Sequence, residues 1–92
     1  MDTRANTLRV SPTVVATEMP DGAVLINSAT GDCFELNRLG TRIWERLSRG
    51  EAQDDITAAL ADQYSVERSV ISRDIAALID DLARHGILLT SR

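Results

Sequence analysis

Between residues 31 and 47 the chain changes its periodicity, and that change fixes the class of fold open to it. In Gly31-Asp32-Cys33-Phe34-Glu35-Leu36-Asn37, Phe34 and Leu36 alternate with Cys33 and Glu35, the period-two pattern of a half-buried strand. Directly afterwards Leu39, Ile43, Trp44 and Leu47 recur at helical spacing. Asn37 stands at the boundary and suits a helix cap, because its side-chain oxygen accepts a bond from a free N–H of the first turn. Everything before Asn37 reads as β and everything after it as α. The expected fold is therefore α+β: a three-stranded antiparallel β-meander followed by three helices, like a winged helix-turn-helix.

The β half divides at its turns. Residues 1–7 are polar and read as a disordered tail, and Leu8 and Val10 begin to pack. Thr13–Glu18 is a β-branched run and gives the first strand. Pro20-Asp21-Gly22 is turn chemistry, since proline presets φ and glycine accepts positive φ. Ala23–Asn27 follows, and its four successive apolar residues suggest burial on both faces, as for the middle of three strands. Ser28–Gly31 is the next turn and Asp32–Leu36 the third strand, which leaves strands one and three as edges.

In the α half, the first helix runs from Asn37 to Ser48 and stops before Gly50. Ile56, Ala59, Leu60 and Tyr64 mark the second, with Asp54 and Asp55 at its positive end. Ser65-Val66-Glu67-Arg68 reads as a cap for the third, which continues to about Arg84 with a seam of Ile71, Ile75, Leu78 and Leu82. Ile87-Leu88-Leu89 folds back as an apolar tail or short strand. Two features depart from good helix design: no Ser or Thr caps helix two, and Gly40 sits in the first turn of helix one. Both are expected to lie away from any functional groove.

Composition narrows the function. Ninety-two residues make one small core. A net charge of −4 argues against general affinity for nucleic acid or anionic membrane. A winged helix would read DNA with its last helix, yet here Arg68, Arg73 and Arg84 are set against Glu67, Asp74, Asp80 and Asp81. One cysteine makes no internal disulfide, no apolar run reaches the ~20 residues of a membrane span, and the N-terminus lacks the apolar stretch of a signal peptide, so a cytoplasmic location is expected. Cys33 lies among Asp32 and Glu35, which oppose a thiolate, and the only histidine, His85, is far along the chain. One Cys and one His do not make a zinc set, and no phosphate loop or dinucleotide fingerprint appears. The reading is a non-enzyme without metal or cofactor.

Peptide recognition remains. An uncovered edge strand accepts an extended peptide as a further strand. If the last helix lies alongside Asp32–Leu36, strand and helix form a groove. Beside the buried seam runs a stripe of Val70, Asp74, Ala77 and Asp81, small and acidic, fit for a bulky or basic side chain. The same stripe also fits a plain solvated flank.

The run Asp21–Asn27, Thr30-Gly31, Phe34-Glu35-Leu36-Asn37, Ile43-Trp44 and Tyr64 resembles the PqqD-like proteins. The likeness continues through Val70, Asp74-Ile75, Leu78, Leu82 and Gly86-Ile87-Leu88. These proteins are precursor-peptide recognition elements of ribosomal peptide natural-product pathways. The resemblance covers about residues 12–89. It implies that residues 8–92 form a leader-binding domain and that a leader peptide adds antiparallel to the third strand, beside the third helix. Asp32, Cys33, Phe34, Glu35 and Leu36 would then supply the ladder. Phe34, Val70, Ile71 and Leu78 would wall an apolar pocket, with Ala77 leaving room and Asp74 and Asp81 pairing with basic residues. A short member most resembles the leader-binding partner of lasso-peptide pathways, which presents its precursor to a transglutaminase-like leader peptidase and then a cyclase. A role in pyrroloquinoline quinone assembly is the nearest alternative, and a winged-helix regulator the next.

Overall fold

A computed structural model describes residues 7–91. Its elements are β1 (Thr7–Val10), β2 (Val14–Met19), β3 (Gly22–Asn27), β4 (Cys33–Leu36), α1 (Arg38–Ser48), α2 (Gln53–Tyr64), α3 (Arg68–Arg84) and β5 (Leu88–Ser91). The meander is present: β2, β3 and β4 form an antiparallel sheet in that order, with β3 central. Three helices follow it. The two tight connections leave no room for any other topology between neighbouring strands.

A second sheet accompanies it. β1 pairs antiparallel with β5, Leu8 opposite Thr90 and Val10 opposite Leu88. Thr7, assigned to the tail by sequence, opens β1, while residues 1–6 of that tail lie outside the described residues. The ribbon escapes a sequence reading because four residues carry little period and their partner lies at the other end of the chain.

The core lies between the inner face of the meander and the helices. Leu25, Ile43, Ile56, Leu60, Ile71, Ile75, Leu82, Ile87 and Leu88 are fully buried. The third-helix seam holds, with Ile71, Ile75 and Leu82 inside and Leu78 half-buried at its edge. Burial of β3 on both faces does not hold. Ala23, Leu25 and Asn27 are buried, but Val24 is only half so and Ile26 is 37% exposed, because no helix covers the outer face of the meander. Gly22 is fixed by crowding: a Cβ there would come within 1.9 Å of the Leu36 carbonyl oxygen.

Asn37 caps α1 as expected, its Oδ1 accepting the Gly40 N–H at 2.7 Å. Ser65 does not cap α3. It takes a left-handed conformation (φ 55°) and closes α2, donating its N–H to Ala61, while Glu67 precedes α3 with no side-chain cap. The sharp turn between the helices needs a left-handed residue, and a serine committed there is too early to cap the next helix.

Candidate functional site

The register of β4 determines which of its backbone groups face away from β3. The Asn27 N–H donates to the Asp32 carbonyl at 2.9 Å, so these two residues form a hydrogen-bonded pair. Bonded and non-bonded pairs alternate in an antiparallel ladder. Phe34 opposite Leu25 is therefore bonded to β3, as is Leu36 opposite Ala23, whereas Cys33 opposite Ile26 and Glu35 opposite Val24 turn their N–H and C=O groups outward. Among the described residues no backbone group bonds to that outer edge. Two residues thus offer four main-chain groups to an incoming strand. The side chains of Cys33 and Glu35 are exposed, Phe34 is half-buried and Leu36 is buried.

α3 lies along the same side of the molecule, running opposite to β4. At its C-terminus the His85 ring meets the Phe34 ring edge-on, centroids 5.1 Å apart at 64°. The His85 Nδ1 lies 2.8 Å from the Asp81 carbonyl and so carries the proton that bond requires. Further along, where β4 passes into α1, a groove of about 310 Å³ is lined by Asn37, Leu39, Gly40, Ile43, Asp74, Ala77, Leu78 and Asp81. Of the α3 residues expected at a binding site, Asp74, Ala77, Leu78 and Asp81 are brought together here.

Two others are not. Ile71 is 1% exposed and belongs to the core, so it walls no open pocket: it lies on the buried seam, about 100° around the helix from Val70. Val70 is 41% exposed and does not line the groove. Phe34 stands at the His85 end rather than over the groove. Asp32 sits in the turn, its N–H accepted by the Thr30 hydroxyl at 3.2 Å.

The two acidic residues differ. Asp81 is paired with Arg84 at 2.6 Å, within its own helix. Asp74 makes no ion pair among the described residues and leaves the groove with one uncompensated carboxylate. The Asn37 cap and the first two turns of α1 (Leu39, Gly40 and Ile43) contribute half of the lining, a share that sequence reasoning missed. Its signal was Gly40, which lines the groove and does not lie away from it. A Cβ at Gly40 would sit 3.1 Å from Asn37 Oδ1 and 3.4 Å from Leu36, so the glycine keeps both the cap and the groove open. His85 was also missed, since its partner Phe34 lies 51 positions earlier in the chain.

Among the described residues no three His, Cys, Asp or Glu side chains come together as a metal set, and no helix is long and apolar enough to cross a membrane. Among the described residues, the site offers an unpaired strand edge beside a small, mostly apolar groove with one carboxylate, Asp74, outside any ion pair. Such an edge and groove are shaped to accept an extended chain.

A family model described as coenzyme PQQ synthesis protein D (PqqD) matches residues 22–88. No curated protein sequence matches the chain. Two solved structures are similar to it. One, described as TbiB1 in complex with the TbiA(beta) leader peptide, is 34% identical with a TM-score of 0.80, covering 87% of this chain and 93% of that one. The other, described as lasso peptide synthetase B1 complexed with the leader peptide, is 32% identical with a TM-score of 0.83, covering 90% and 98%.

Proposed function

The chain belongs to the PqqD family, and from that membership we propose that it is a non-catalytic binding protein for the leader region of a ribosomally made precursor peptide. The observation that carries this reading is the free edge of β4, where Cys33 and Glu35 turn four backbone groups toward the space beside α3. A leader segment adds there as a further strand, its main chain paired with Cys33 and Glu35. Its side chains then meet Phe34 at one end and the groove of Leu78, Ala77 and Asp74 at the other. An apolar leader residue fits the groove, and a basic one finds Asp74, which makes no ion pair among the described residues.

Both solved neighbours are leader-peptide complexes, and one is named as a lasso peptide synthetase component, which favours lasso-peptide biosynthesis over pyrroloquinoline quinone assembly. The role is delivery. Holding the leader raises the effective concentration of the attached core peptide at a leader peptidase, and next at a cyclase. The test is a fluorescence-polarisation titration with labelled leaders encoded beside this gene. Saturable binding at about micromolar concentration or tighter is expected. A folded sample that binds none of them refutes the reading.

A further inference from the structure

We propose that Asn27 is a positioning residue for the bound peptide: its buried carboxamide ties the β3–β4 hairpin to the C-terminal end of α3 and so sets the width of the cleft that receives the strand. The inference rests on the leader-binding reading above.

Asn27 is 4% exposed, one of the few buried polar side chains among the described residues. Its amide oxygen accepts from the Thr13 hydroxyl at 2.8 Å and the Ala29 N–H at 3.0 Å. Its amide nitrogen donates to the Gly86 carbonyl at 3.2 Å. The partners dictate this orientation, because an N–H must face the oxygen and a carbonyl must face the NH2 group. The first two bonds stay within the meander and its turns. The third alone leaves it and reaches the turn after α3.

Position gives that third bond its meaning. Gly86 directly follows His85, whose ring packs on Phe34 of β4. The Asn27–Gly86 bond and the Phe34–His85 contact thus fasten the same end of the cleft at two points, one on β3 and one on β4. An added strand lies ~4.8 Å from β4, so its side chains reach α3 only if the helix stands at a fixed distance. The space at the nitrogen is already full, since a Cβ on Gly86 would lie 3.2 Å from the Asn27 Nδ2. A carboxamide fits because it serves an acceptor on one side and donors on the other.

Asn27→Asp removes the Gly86 tie selectively: it keeps the acceptor for Thr13 and Ala29 but sets a carboxylate oxygen against a carbonyl. Thr13→Val is the control, removing a bond to the same side chain without touching Gly86. Both are to be measured for thermal melting, for the ring-current shift that Phe34 imposes on the His85 ring protons in the free protein, and for leader affinity well below the melting temperature. Fully folded Asn27→Asp should lose the His85 shift and bind the leader about tenfold or more weakly, because a loosened site must be ordered on binding. Thr13→Val should melt earlier yet keep its affinity within about twofold, as lowered stability alone does not change the affinity of the folded fraction. Gly86→Ala, which presses on the same nitrogen and also strains the left-handed turn (φ 71°) that presents the Gly86 carbonyl, carries the test if Asn27→Asp does not fold. Wild-type affinity in the folded tie variant, or an equal loss in Thr13→Val, overturns the assignment. Failure of both tie variants to fold overturns it as well, in favour of a purely structural role. If the wild-type chain binds no leader, the reading beneath falls and takes this inference with it.

Discussion

Proline substitution along β4 separates the two edges of one strand. At Glu35 the N–H faces outward, so a proline there leaves the β3–β4 ladder intact and removes one donor from the surface an incoming strand would use. A net hydrogen bond contributes about 1 kcal/mol, which corresponds to roughly fivefold in affinity. That is a lower bound, because the ring also occupies the space of the added strand. Cys33→Pro should cost as much, and the two together about 2 kcal/mol, or roughly thirtyfold. Phe34→Pro is the opposite case. Its N–H serves the bonded pair with Leu25, and the half-buried ring that packs on His85 is lost, so the fold should weaken by on the order of 3 kcal/mol. Circular dichroism and thermal melts report the fold, and fluorescence polarisation with a labelled leader reports the edge. The expected pattern alternates: binding weakened with the fold retained at 33 and 35, stability lowered at 34. Wild-type affinity in the folded Cys33→Pro, Glu35→Pro double variant would refute strand addition at β4.

Three more substitutions probe the groove and the strand that supports it. Asp74→Arg should weaken binding of a leader with a basic residue by about fivefold at low salt and less at high salt, while Asp81→Ala, already paired with Arg84 at 2.6 Å, should change affinity less; polarisation titrations at two ionic strengths check both. Gly22→Ala drives a methyl group into the Leu36 carbonyl and should lower stability by about 1–3 kcal/mol, read by denaturant unfolding.

Local rules made much of this fold legible. The change of period at Asn37 marks the junction of β4 and α1, because a strand and an amphipathic helix each write their repeat within a few residues, and the cap is a local bond. The third-helix seam is legible for the same reason. Legibility ends where strand register and contacts between elements decide. The outward orientation of Cys33 and Glu35 depends on the pairing of Asn27 with Asp32, which composition does not reveal. Ile71 shows the cost of reading one helix for two purposes, since a residue on the buried seam is unavailable to a pocket on the neighbouring stripe. Gly40 looks like a flaw when only helix propensity is weighed. In three dimensions it opens the groove and leaves room for the Asn37 cap. Apparent errors of local design thus point to places where another element comes near.

The β1–β5 ribbon has a kinetic consequence. Its register joins Thr7 to Ser91, so it closes a loop of more than 80 residues, whereas the meander closes turns of a few. Closing a chain of that length costs about 2 kcal/mol more in entropy than a ~10-residue loop, and neither end gains anything until it is closed. This cost predicts that the ribbon forms after the barrier to folding and opens before the barrier to unfolding. Because Leu88 of β5 and the adjoining Ile87 are themselves buried core residues, its opening uncovers the core from one side. If so, changes at Leu8 or Val10 should speed unfolding, measured by denaturant-jump kinetics, while leaving the folding rate alone.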